Sequence, residues 1–200
     1  MNSFKEDIEL SIEEPKEILA MNAQKFALWL FIVTIIMLFA ALTSAYIVRK
    51  AEGNWILIDL PFLFWINSAV LLASSITMHG ALLAAKKDQV RKLKTAITIT
   101  AILGFGFLIG QYIAWNDLMA NGIFFNGDNS NVAFSFLYVL TGAHAIHLVS
   151  GVVFLVIALV SAFRLKIHSK RMVRIEMCAT YWHFLDILWL YLFGFLLFNN

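Results

Sequence analysis

Five side chains inside long apolar runs could carry chemistry: His79, His144, His147, His183 and Asp186. Imidazole ligates haem iron and transition metals, and beside a carboxylate it can pass protons. His144 and His147 lie in "TGAHAIHLVSG" (residues 141–151), and His183 and Asp186 lie in "YWHFLDILWLYLF" (residues 181–193). Within each pair the residues are three apart, so on a helix each pair shares one face. A single helix cannot offer two histidines to opposite sides of one haem iron, so His144 and His147 do not make a bis-histidine site.

Depth gives a better-placed pair. His79 lies near the end of one run and His183 near the start of another, each about seven residues, or roughly 10 Å, from the same boundary. They could face each other across two helices. His147 lies roughly 25 Å from that boundary on the same rise, too far to join them. Carboxylate-bridged metals need several acidic ligands, and the deep runs supply Asp186 alone. The single cysteine, Cys178, excludes a cysteine-clustered metal site and an internal disulfide. No metal site is expected. The reading that needs least is a polar network of His79, His144, His147, His183 and Asp186 that holds helices together by imidazole and carboxylate hydrogen bonds. His183 and Asp186 can share a partner. An unpaired buried charge is too costly, so Asp186 is expected to be hydrogen-bonded or neutral, either as a structural clasp or as a proton relay.

The elements that must position these groups follow from composition. Of 200 residues, 61% are hydrophobic and 14% charged, more apolar surface than a soluble domain of this size can hide. The apolar residues form five runs, about 23–48, 62–85, 93–115, 132–163 and 177–198, each long enough to cross roughly 30 Å of hydrocarbon as a helix. Backbone groups must be satisfied internally in lipid, which selects helices. The fold class is an all-α membrane protein, a bundle of five transmembrane helices over residues 23–200, with residues 1–22 as a cytoplasmic tail. The first run is too long, and the tail before it too acidic, for a cleaved signal peptide.

Charge distribution orients the bundle. Ten of the fifteen Lys and Arg residues fall in "KKDQVRKLK" (residues 86–94) and "RLKIHSKRMVR" (residues 164–174). Basic loops stay inside, which puts the N-terminus in the cytoplasm and the C-terminus outside. The same basic stretches are topological rather than a nucleic-acid surface, and no nucleic-acid partner is expected. Trp55 and Pro61 place the first loop at the outer interface, and Phe124 and Phe125 in the third loop are expected to touch lipid or a partner. Glu176 suits the start of the last helix, where a negative charge meets the positive end of the helix dipole. Small residues four apart, Ala40 with Ser44, Ala69 with Ala73, and Gly106 with Gly110, are expected at close helix crossings, as are Thr141, Gly142 and Gly151.

With these residues in view, the chain resembles subunit III of cytochrome c oxidase, in the haem–copper oxidase superfamily, in its short five-helix bacterial form. "YWHFLDILWLYLF" is similar to that family's Tyr-Trp-His-Phe-x-Asp-x-x-Trp, and "TGAHAIHLVSG" to its Thr-Gly-x-His-x-x-His-x-x-x-Gly. "NSAVLLASSIT" (residues 67–77) and "FAALTSAYIVR" (residues 39–49) resemble earlier helices, so the likeness runs in order from about residue 26 to the end. It implies a subunit without haem or copper, in the bacterial inner (plasma) membrane. Such a subunit packs on oxidase subunit I, the catalytic chain that reduces oxygen and pumps protons, and on the other oxidase subunits. Haem and copper belong to those partners. The role implied is to sustain proton uptake and to protect the active site during turnover. The long form has seven helices, and this chain resembles the last five.

The family also holds membrane phospholipid in a cleft, with basic residues at the inner end of the penultimate helix. "FRLKIH" (residues 163–168) resembles that segment one residue shorter and nominates Arg164, Lys166 and His168. Many members carry a glutamate where this chain has Ile35. The alternatives are subunit III of a quinol oxidase or a nitric oxide reductase-associated homologue, and, from a different class, a haem-carrying electron-transfer protein using His79 and His183.

Overall fold

The computed structural model describes residues 23–53, 55–57, 60–125, 131–163 and 173–199. Those residues form five helices: α1 (Ala23–Ala51), α2 (Leu63–Lys86), α3 (Val90–Ala120), α4 (Val132–Phe163) and α5 (Val173–Asn199). All five are long and apolar enough to cross a membrane, and the chain is a multi-pass membrane protein. Several helices outrun the apolar stretches that announce them. α3 has 31 residues, or about 46 Å at 1.5 Å per residue, and α5 begins four residues before Met177. The apolar run marks the hydrocarbon layer, whereas the helix continues into the headgroup region, where polar side chains are comfortable.

α2 and α3 are joined by a tight turn in which Gln89 N–H reaches Ala84 O at 2.9 Å and Asp88 takes a positive φ of 51°. Short polar side chains tolerate that left-handed conformation better than most. At the opposite end α3 stops at Gly122, φ 80°, with Ile123 N–H returning to Leu118 O at 3.0 Å. Closing the terminal carbonyls through a left-handed glycine is a common way to end a helix.

Packing follows from side-chain pairs. α2, α3, α4 and α5 close a ring, each helix against the next and α5 back against α2, while α1 sits outside against α4 and α5 and touches neither α2 nor α3. α1 and α5 run parallel. Lys25 bridges Glu176 at 2.6 Å at one end, and Tyr46 and Lys50 donate to the Asn199 carbonyl at the other. That is the arrangement expected of the first and last of five successive spans.

The ring interior is filled from α5 by Trp182 and Trp189, seven residues apart and both essentially unexposed. Their indole N–H groups donate across the seam to α2, Trp182 to Ser74 Oγ at 3.0 Å and Trp189 to Ser68 Oγ at 2.9 Å. Each serine hydroxyl in turn donates to a carbonyl of its own helix. Room for Trp182 comes from missing side chains: a Cβ on Gly104 would lie 2.6 Å from the indole, and one on Gly151 would lie 2.7 Å from Leu185. These are the close crossings, together with Gly110, whose Cα faces the Asn67 side chain.

The small residues singled out by spacing alone are mostly elsewhere. Ala40, Ser44, Ala69, Ala73 and Gly106 all face outward, and no neighbour comes within 4 Å of a Cβ built on Gly106 or Gly142. Spacing of four selects one helix face, but it does not say whether that face meets a helix or lipid. The outward faces carry apolar side chains such as Ile76 (74% exposed), Ile102 (64%) and Ile146 (72%), as hydrocarbon contact requires.

Candidate functional site

The clearest polar cluster lies on the seam between α2 and α5. These helices are antiparallel, so His79 near the end of α2 meets His183 near the start of α5, with ring centroids 6.3 Å apart. Ser75, one turn before His79, shares a 2.7 Å hydrogen bond with His183 Nδ1. The same hydroxyl faces the Asp186 carboxyl without closing a hydrogen bond to it. Asp186 is 3% exposed, His183 is half-buried, and His79 is exposed on the outer face. Ser75 is therefore the neighbour that His183 and Asp186 hold in common. Sequence reading paired these two residues but did not name the serine. The available signal is "SS" at 74–75, six and seven residues past Ser68, opposite two tryptophans seven residues apart.

His144 and His147 part company. His144 is fully buried inside the ring, between Phe107 (5.9 Å, edge-on) and Trp189 (5.2 Å). Neither of its ring nitrogens has a hydrogen-bond partner among the described residues. His147 turns toward α1, against Phe31 and Phe39 at 6.5 and 5.8 Å, and its Nδ1–H donates to the Ala143 carbonyl at 2.7 Å. Tyr181 hydroxyl closes the same corner through Ser150 Oγ at 2.7 Å.

The five singled-out residues thus occupy three places rather than one network. Residues three apart on a helix differ by about 60° in direction, enough here for His144 to face the ring and His147 to face α1. The depth estimate for His147 needs correction too. Gly151 meets Trp182 and Leu185 while His144 meets Trp189, so His147 lies within about one turn of the level of His183, closer than the apolar runs imply, because α5 starts before its own. The two histidines still do not meet, since Tyr181 and His183 leave α5 on opposite sides.

Two further polar groups are buried in the bundle. Asn67 and Gln111 are 2% and 1% exposed, and the Asn67 Nδ2 and both Gln111 amide atoms have no hydrogen-bond partner among the described residues. Ile35 is buried. Arg164, Lys166 and His168 lie outside the described residues, as does the tail 1–22. Among the described residues no group of three or more His, Cys, Asp or Glu side chains could hold a metal ion.

Comparison with known proteins agrees with the motifs. A sequence model of the family described as cytochrome c oxidase subunit III matches residues 8–199. Cytochrome bo(3) ubiquinol oxidase subunit 3 of Buchnera aphidicola subsp. Schizaphis graminum is 26% identical over 184 residues, spanning 90% of this chain and 95% of that protein. Cytochrome c oxidase subunit 3 of Thermostichus vulcanus is 30% identical, over 83% of this chain and 82% of its own length. A probable cytochrome c oxidase subunit 3 from Nocardia farcinica is also 30% identical, over 80% and 79% respectively.

Proposed function

The chain belongs to the cytochrome c oxidase subunit III family of haem–copper oxidases, and from that premise we propose that it is the haem-free and copper-free subunit seated on the oxygen-reducing, proton-pumping subunit I. The family match over residues 8–199 carries the proposal. In this reading the bundle lies in a bacterial plasma membrane with its N-terminus in the cytoplasm, and it stabilises the catalytic subunit and its proton uptake. Quinol and cytochrome c oxidases both occur among the relatives, so family membership names the subunit while the electron donor is a property of its partners. The test is co-isolation. Affinity-tagged chain, extracted from native membranes in mild detergent, is expected to bring down a haem- and copper-containing subunit in near-equal amount. Recovery of the tagged chain without one would overturn the assignment.

The competing reading, a haem held between His79 and His183, conflicts with the seam they share. α2 and α5 are in direct hydrogen-bond contact there, at 2.7 Å through Ser75 and His183 and at 3.0 Å through Ser74 and Trp182. A porphyrin would have to force those helices apart. The chain expressed alone in haem-replete cells is expected to be colourless. A dithionite-reduced spectrum with a stoichiometric Soret band that His183→Ala abolishes would restore the haem reading.

A further inference from the structure

On the outside of the ring, α3 and α4 part along their shared seam. A cavity of about 450 Å³ lies between them, lined by Gln111, Tyr112 and Trp115 of α3 and by Gly142, Ala145 and Val149 of α4. Leu108 and Val149 also line a second cavity, of about 320 Å³, that continues the seam to Val156 and Ile157. Together they form one groove from Gly142 to Ile157, about 22 Å long at 1.5 Å per residue. It opens away from the bundle, since Tyr112 is 62% and Ile146 72% exposed at its mouth. The walls are apolar except at one end. There Gln111 is almost wholly buried, and neither of its amide atoms has a hydrogen-bond partner among the described residues. Tyr112 adds a phenol beside it, and Trp115 is fixed by its indole N–H, which donates to Thr141 Oγ1 at 3.1 Å. Gly142 leaves the facing wall bare, with no neighbouring atom within 4 Å of a Cβ built there. Gln111 lies one turn, about 6 Å, inside Trp115, which ends the apolar run of α3. A charged headgroup at that depth is too costly, so what reaches Gln111 must be polar and neutral.

We infer that this groove binds a long-tailed quinone, with its ring over Gly142 against Gln111 and its tail along α4 toward Ile157. The carboxamide suits both forms of such a ring, donating through Nε2 to a quinone carbonyl or accepting at Oε1 from a quinol hydroxyl. A flat ring fits the bare glycine wall, with the aromatic faces of Tyr112 and Trp115 beside it. An acyl chain alone would leave the amide unpaired. A few polar groups at one end of an apolar cavity between helices are the usual form of a small-molecule site. The site needs only the membrane reading of the chain, not the identity of its partner subunit.

The intact complex in phosphatidylcholine nanodiscs tests this with an azido-benzoquinone bearing a decyl tail. Crosslinks formed on photolysis are mapped by peptide mass spectrometry. Labelling of α3 and α4 around Gln111 and Gly142 is expected to fall roughly tenfold when about a twentyfold excess of unmodified decyl-benzoquinone is present. The same excess of diacylglycerol, neutral and long-tailed but without a ring, is expected not to compete. Gln111→Leu is expected to lower the competable labelling about fivefold, as the loss of one hydrogen bond. Gly142→Leu is expected to remove it by filling the wall, with labelling elsewhere unchanged. Gly142→Val serves if leucine blocks assembly. Labelling that excess quinone does not reduce, or that survives either substitution, overturns the site. Suppression by diacylglycerol as well would overturn the quinone and reassign the groove to neutral lipids in general. Absence of label on α3 and α4 would overturn it in favour of a partner subunit's helix seated there.

Discussion

Trp182→Ala is expected to cost the bundle about 2–4 kcal/mol and to lower the amount of assembled complex more than any conservative change on the lipid face. The figure is the cavity part of a large-to-small core substitution. The transfer part is smaller here, because separated helices in a bilayer are still surrounded by hydrocarbon and packing alone holds them together. Trp182 is completely buried, fills the notch left by Gly104, and ties α5 to α2 through Ser74. Removing it empties the ring where three helices converge. Trp182→Phe isolates the hydrogen bond from the volume and is expected to cost only about 1 kcal/mol. Gly104→Val probes the same contact from the other side. Its branched side chain must displace an indole held on several sides, at about 1–3 kcal/mol. Thermal melting of the detergent-solubilised chain, followed by far-UV circular dichroism, ranks the variants. A Trp182→Ala protein that melts with the wild type would mean the notch is not the keystone of the ring.

The same seam shows what a sequence reader can and cannot see. Five spans and their alternation were legible because hydrocarbon thickness imposes a minimum length on every apolar run. His79 and His183 could be paired by counting from a shared boundary, since successive helices run antiparallel and the rise per residue is constant. The same counting misplaced His147, because the start of α5 was set by hydropathy while the helix itself begins in the headgroup region. Facing was harder still. Ala69 with Ala73 and Gly106 with Gly110 have identical spacing, yet Gly110 meets the Asn67 side chain while Ala69, Ala73 and Gly106 face outward. Which face of a helix is turned inward depends on its neighbours, and those are tertiary facts. In a bundle with lipid outside, hydropathy also loses its usual power to separate inside from outside. What marked the interior instead was polarity: Ser68, Ser74, Asn67, Gln111 and His144 are all turned away from lipid.

Asp186 is where stability and function are hardest to separate, and two substitutions divide them. Its carboxyl is buried beside Ser75, which is itself bonded to His183 Nδ1. As a clasp, Asp186 works through that serine: with the proton on His183 Nδ1, imidazole donates to Ser75 Oγ and the serine hydroxyl is left to donate toward Asp186. As a relay, it would have to pass protons onward. His79, His183 and Ser75 supply groups on one side of it, but neither Asp186 oxygen closes a hydrogen bond among the described residues, so no continuous chain runs through the carboxyl. α1 itself carries no acidic side chain, and Ile35 is buried on it. We favour the clasp. Asp186→Asn retains the shape and an acceptor for the serine, so assembly, oxygen turnover and protons pumped per electron are expected to stay near wild type. Asp186→Leu removes the acceptor and places a branched side chain against Ser75 and His183, at about 1–3 kcal/mol. That loss is expected to appear as a several-fold drop in assembled complex. Oxygen-pulse measurements on reconstituted enzyme decide the matter, because a complex carrying Asp186→Asn that assembles fully yet pumps fewer protons per electron is incompatible with a clasp and requires a relay through this carboxyl.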